Sequence, residues 1–112
     1  MSHSFLTVAA FGTRRRKAIA QALNAQAVKL NQFDNEPGES GKEHDERESR
    51  QEEVYVGLRG SGMIRVDGSE LPLEPGLYVL VAPEATRQVI AGDEGLSYLV
   101  VGAVVGFGTG PA

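Results

Sequence analysis

Glu53 and Tyr55 stand two residues apart, so in an extended segment both side chains fall on one face. A carboxylate beside a phenol presents an acceptor and a donor to whatever lies on that side. Imidazole is scarce: His3 and His44 are the two histidines of the chain. His3 lies in an unanchored N-terminus and reads as a bystander. Neither histidine stands at a recognisable spacing from Ser61 or Ser97, so a serine–histidine–carboxylate arrangement is unsupported. There is no cysteine, which excludes a disulfide framework and a thiolate metal site. Gly57, Gly60 and Gly62 lie in a strand-rich segment rather than before a helix, so they do not make a phosphate loop.

The charges are unevenly placed. The net charge is −4, yet residues 1–33 carry Arg14, Arg15, Arg16, Lys17 and Lys29 and no acid, while residues 34–53 are dominated by acids. The run Arg14–Lys17 reads as water-facing charge at the start of a short helix. The chain is acidic overall and interleaves no aromatics with that run, so no nucleic-acid partner is expected. No apolar run is long enough to cross a membrane, and no membrane partner is expected. The N-terminus has an apolar patch before its charges, the reverse of a secretory signal, which points to a cytoplasmic protein.

The elements that would position Glu53 and Tyr55 are mostly strands. At 112 residues the chain has room for one domain, and its 14 glycines and five prolines imply many turns. A helix is expected from Thr13, a plausible N-cap, to about Leu23, with Asn24 closing it. Its cationic start opposes the helix dipole, so it needs docking to persist. Residues 25–33 alternate like a first strand. Residues 34–50 read as a charged loop, solvated and partly disordered. Strands are then expected at Val54–Leu58, Met63–Val66, Leu71–Leu73, Leu77–Val81, Arg87–Ile90 and Ser97–Val105. Gly60-Ser61-Gly62 reads as a bulge, and Asp67-Gly68, Glu74-Pro75-Gly76 and residues 91–95 as turns. Leu77–Val81 is apolar on both faces and reads as a strand covered on both sides, with Tyr78 and Tyr98 as packing residues. Strands at this spacing suggest a sandwich or barrel. The organisation expected is an N-terminal helix segment over 1–25, a β-barrel over 26–105 and a flexible tail over 106–112.

The segment Glu52-Glu53-Val54-Tyr55-Val56 followed by Gly60-Ser61-Gly62 resembles a cupin. The likeness continues through Val66-Asp67-Gly68, Glu74-Pro75-Gly76, Pro83 and residues 91–96, over roughly residues 38–105. It implies an all-β, double-stranded β-helix (jelly-roll) barrel. The family's first motif is G-x5-H-x-H-x(3–4)-E-x6-G. Glu53 and Gly60 fit its second half, whereas Glu46 and Glu48 stand where its histidines would be. The second motif, G-x5-P-x-G-x2-H-x3-N, meets Gly76, but Arg87 occupies the position of the third ligand histidine. Pro83 is one residue late, Glu84 replaces the glycine and Ala91 the asparagine. A family metal site uses three histidines and a glutamate. Here a divalent metal could draw at most on His44 and Glu53, and a permanent cation sits at the third ligand position. The resemblance argues for the fold and against a metal cofactor.

It also implies a ligand pocket of His44, Glu53, Tyr55 and Arg87, with Glu53, Tyr55 and Arg87 facing the barrel mouth. Arg87 and Glu53 could form a charge-assisted pair, or Arg87 could offer its guanidinium to a carboxylate or phosphate. Periodicity alone says otherwise: Val54, Val56 and Leu58 would be core, and Glu53, Tyr55 and Arg59 would face water. Both readings hold only if the outer face of that strand is covered, by the N-terminal helix or by a partner subunit, so a homodimer is expected. The function expected is a metal-free small-molecule-binding barrel. The alternatives are a metal-dependent cupin enzyme with a reduced site and a structural or interaction module with a filled barrel mouth. No reaction is specified.

Overall fold

A computed structural model describes residues 7–8 and 15–106 of the chain. It contains six strands and one short helix: β1 (Arg16–Ala18), α1 (Ile19–Leu23), β2 (Lys29–Asn35), β3 (Gln51–Val66), β4 (Ser69–Leu73), β5 (Tyr78–Val81) and β6 (Arg87–Val104). They form one antiparallel sheet in the order β1-β2-β6-β3-β4, with β5 added to β3. No helix among the described residues is long and apolar enough to cross a membrane.

The architecture is a folded ribbon. β3 and β6 pair from Gln51↔Val104 to Val66↔Arg87, interrupted by irregularities between Gly57 and Arg59 and between Gly60 and Gly62. The segments expected as two strand pairs are therefore two long strands, because pairing resumes beyond the interruption. There Gly60 and Gly95 take positive φ, 78° and 79°, and the backbones approach so closely that a Cβ on Gly60 would be driven into the Gly95 carbonyl. At this corner the ribbon folds over. Ile64, Val89 and Ala91 from one half meet Tyr55, Tyr98 and Val100 from the other, and Leu73, Val81 and Leu96 complete the core. Asp67-Gly68 makes the expected hairpin between β3 and β4, with φ of 48° and 86° at its two central residues, as a type I′ turn requires.

The N-terminal part departs from expectation. Thr13 lies outside the described residues, and so does the tail beyond Gly106. The helix starts at Ile19 rather than Thr13, without a side-chain cap or an acid in its first turn, and Asn24 closes it in the left-handed conformation. Arg16 and Lys17 instead extend along β2, opposite Phe33 and Gln32, so the sheet begins upstream of residue 26. The physical reason is charge. A cation run is unfavourable at a helix start, whereas on β1 Lys17 meets the carboxylate of Asp34. β2 likewise runs on past Phe33 to Asn35.

Burial pushes the Asp34 carboxyl up, but hydrogen bonds from Lys17, Gln32 and Ser97 and the Lys17 charge outweigh it and bring it down to about 2. A carboxyl depressed on folding contributes stability that is complete above its unfolded pKa and is lost as pH falls through the folded value. Between about pH 5 and pH 2, roughly 1–2 kcal/mol should therefore be lost at the β1–β2 contact. Chemical denaturation across that range should show this loss, and Asp34→Asn should remove it. An unchanged pH slope in the variant would refute the assignment.

Residues 36–50 are not an unattached loop. Gly41 N donates to the Val89 carbonyl at 2.8 Å and Ala91 N to that of Glu39 at 3.0 Å, while His44 and Arg87 exchange main-chain hydrogen bonds. The segment is charged because one side faces water, but its backbone lies along the start of β6.

Candidate functional site

The inward faces of β2, β6 and β3 are in register. Lys29 pairs with Gly102 and Gly102 with Glu53; Asn31, Val100 and Tyr55 form the next row; Phe33, Tyr98 and Gly57 the one after. Gly102 has no side chain, so nothing stands between its two neighbours, and Lys29 Nζ donates to Glu53 Oε2 at 2.9 Å. A Cβ on Gly102 would meet Glu53 Cγ at 3.4 Å. The Tyr55 hydroxyl donates to Glu53 Oε1 at 2.9 Å. Burial, and then the charge of Glu53, push the Tyr55 phenol well above its ordinary range, so it remains a donor.

Arg87 opens β6 on the other half of the ribbon. Its backbone is held by His44, with Arg87 N donating to the His44 carbonyl at 2.8 Å and His44 N to that of Arg87 at 3.0 Å. Its guanidinium points inward. Nη1 donates to the Ala85 carbonyl at 2.6 Å, and Nη2 lies 3.5 Å from Glu53 Oε1. Arg87 and Glu53 are each 1 % exposed. Nε and Nη2 of Arg87 have no hydrogen-bond partner among the described residues.

These residues line a cavity of about 330 Å³. Lys29 and Arg87 reach it beside Glu53, with Arg15, Arg16, Lys42 and His44 on its wall, and Glu53 is the one acid there among the described residues. His44 Nδ1 lies 2.9 Å from Glu46 Oε2. Burial raises the Glu46 carboxyl, but a hydrogen bond from Ser49 and the nearby Lys29 and His44 outweigh it and lower it overall.

Of the expected pocket, His44, Glu53, Tyr55 and Arg87 are thus brought together around one space. Lys29, Asn31 and Phe33 join them from a strand whose alternation suggested the reverse, with Val28 and Leu30 as its apolar face. The same ambiguity decides β3: Glu53 and Tyr55 are buried, while Val54 and Val56 are half-exposed and Leu58 is exposed, against the periodicity. Apolar residues on both faces make alternation an unreliable guide here. Tyr98 packs as expected, but Tyr78 is 71 % exposed and Leu80 64 %, so β5 is bare on one side.

Metal-ligand atoms of His44, Glu46 and Glu53 can lie within 4.8 Å of one another. The donor set nevertheless does not fit the three-histidine centre of the family. It holds one imidazole, with Glu46 against its Nδ1, and its buried carboxylate stands against Lys29 and Arg87. Two fixed cations at the carboxylate repel a divalent ion.

No family model and no curated protein matches the chain by sequence. Solved structures do. A cupin protein from Bacteroides fragilis superposes with a TM-score of 0.85 at 20% identity, over 99% of this chain and 93% of that one. A predicted oxalate decarboxylase from Thermotoga maritima gives 0.69 at 19%, over 80% and 79%. A cupin-superfamily sugar phosphate isomerase from Silicibacter pomeroyi gives 0.67 at 24%, over 79% and 59%. These neighbours differ in described activity and share the folded antiparallel sheet, so what they have in common with this chain is architecture: it is a domain of the cupin fold.

Proposed function

We propose that this domain is a metal-free binding protein for a small anionic molecule held in the cavity that Lys29 and Arg87 line. One observation carries the reading: among the described residues the cavity is lined by Arg15, Arg16, Lys29, Lys42 and Arg87 against a single acid, Glu53. Such an excess of positive charge on one wall attracts an anion. Lys29 adds a second cation within reach. The ion pair with Glu53 balances part of this charge, which is the observation behind a second reading, a structural module whose mouth is closed by its own side chains.

Ligand-linked stability separates them. A ligand bound to the folded state alone stabilises by about 2.7 kcal/mol at a concentration 100 times its Kd. Small carboxylates or phosphate should raise Tm above that in chloride of equal ionic strength, and Arg87→Met should abolish the rise while the protein stays folded. Elemental analysis of tag-free protein should find no stoichiometric transition metal. A flat response to every anion would favour the structural module, and stoichiometric metal lost on His44→Ala would favour the enzyme.

The same reading assigns the outer face to a second copy of the chain. Tyr78 and Leu80 are largely exposed beside the half-exposed Val54 and Val56, and among the described residues β5 pairs on one edge alone, with β3. An antiparallel edge is self-complementary about a two-fold axis, and an apolar strip beside it is otherwise an aggregation hazard. Light scattering should report twice the 11.9 kDa chain mass, and Leu80→Lys should give the monomer. A monomeric parent protein at high concentration would refute the assignment.

A further inference from the structure

We infer that the cavity takes an α-hydroxy monocarboxylate with a short apolar body, and that the Asn31 side chain reads its hydroxyl and carboxylate together. The inference rests on the anion reading and names a chemical class and the residue that selects it.

Asn31 is an amide turned inward with nothing to bond. The residue is 6 % exposed and lines the cavity. Its cross-strand neighbours are Ala18 on β1 and Val100 on β6, and neither side chain carries a polar atom. Along its own strand the same face shows Lys29, engaged by Glu53 and Glu46, and the ring of Phe33. The Asn31 amide accordingly makes no hydrogen bond among the described residues, yet its two polar atoms are not sealed. Asn35, on the same face of β2 and 5 % exposed, differs: its Oδ1 and Nδ2 are both shut off from solvent and can meet no ligand. An inward amide costs free energy unless it is bonded, whereas a leucine would fill the same place without that cost.

The chemistry of the amide selects the ligand. One carbon carries an acceptor, Oδ1, and a donor, Nδ2, side by side. A lone carboxylate uses the donor and sets its charge against the acceptor. A hydroxyl on the carbon next to the carboxylate removes that conflict: its O–H donates to Oδ1 while a carboxylate oxygen accepts from Nδ2. A keto group in its place brings no proton, so Oδ1 stays unpaired. An ammonium there would donate, but the cations that line the cavity and attract an anion disfavour it. In a phosphate ester the ester oxygen moves the charged group further from any hydroxyl, and the two no longer fit one amide edge. The body of the ligand then lies against Phe33, Val89 and Val100, which with Tyr98 make the apolar part of the lining.

Titration calorimetry compares α-hydroxyisocaproate with isocaproate, α-ketoisocaproate and the uncharged α-hydroxyisocaproamide. It is run on the parent protein and on Asn31→Leu, with the fold of the variant checked by circular dichroism. The hydroxy acid should bind about tenfold more tightly than isocaproate or the keto acid. Asn31→Leu should bring the three acids within about twofold of one another. The amide should bind at least about tenfold more weakly than its acid. A hydroxy acid no better than isocaproate in the parent protein would overturn the Asn31 assignment and leave the anion reading standing, whether or not the variant folds. An advantage that survives Asn31→Leu, or a keto acid equal to the hydroxy acid, would do the same. An amide equal to its acid would overturn the anion reading itself. Binding by none of the four probes would overturn both.

Discussion

Glu53→Ala should destabilise the domain by about 3–5 kcal/mol, the usual cost of removing one partner from a buried ion pair. The reason is what it leaves behind. Arg87, 1 % exposed and with two donor nitrogens already unbonded, would lose the one carboxylate paired with it among the described residues, and the Tyr55 hydroxyl would lose its acceptor. Lys29, about a third exposed, can turn to Glu46 or water and suffers least. Arg87→Met should cost less, about 1–3 kcal/mol, because Glu53 keeps Lys29 and Tyr55. The double variant should cost less than the sum of the two by at least about 1 kcal/mol, since the lone buried cation is then gone as well. Urea denaturation of the four proteins gives the cycle. Additivity within about 0.5 kcal/mol would mean that the two groups do not interact and that the 3.5 Å approach is incidental.

Gly60→Ala should be at least as damaging, about 4 kcal/mol or more, and should prevent folding if the parent's margin is smaller. Two separate costs combine. The residue holds φ 78°, a conformation that costs a non-glycine residue about 1–3 kcal/mol. Its new Cβ would also meet the Gly95 carbonyl, which is backbone and cannot rotate aside. Gly68→Ala separates these terms: φ is 86° there, but nothing lies within 4 Å of the added carbon. That variant should pay the conformational cost alone, about 1 kcal/mol. Equal Tm losses in the two variants would show that close approach at the corner contributes nothing.

Three of the turns were legible in the sequence, whereas residues 91–95, read as a turn, run on within β6. Asp67-Gly68, Glu74-Pro75-Gly76 and the irregularity around Gly60-Ser61-Gly62 each name a backbone conformation directly, and each is present. Side-chain direction was harder. In β2 and β3 both faces carry apolar residues, so alternation pointed to Val28, Leu30, Val54 and Val56 while Lys29, Asn31, Glu53 and Tyr55 turned inward. The motif likeness turned Glu53 inward, where it is buried, whereas periodicity turned it outward. Lys29 carried no such signal: its role depends on a partner across two strand pairings and on a glycine between them. Glu46 likewise became a neighbour of His44 through the course of residues 36–50, which composition alone describes as a solvated loop. The short helix was misplaced because the partner that makes a strand of Arg16 and Lys17, Asp34, is distant in sequence.

The cavity has one wall from each half of a single ribbon, and the hinge between them is the Gly60–Gly95 corner. No fragment holding only one half contains both Glu53 and Arg87 in place. Cavity and fold are therefore one cooperative unit: a molecule whose corner has opened has no cavity at all, rather than a narrowed one. Apparent affinity for the proposed ligand should then scale with the fraction of molecules in which the ribbon is closed, so a substitution at the corner would mimic the loss of a ligand contact while touching nothing in the cavity.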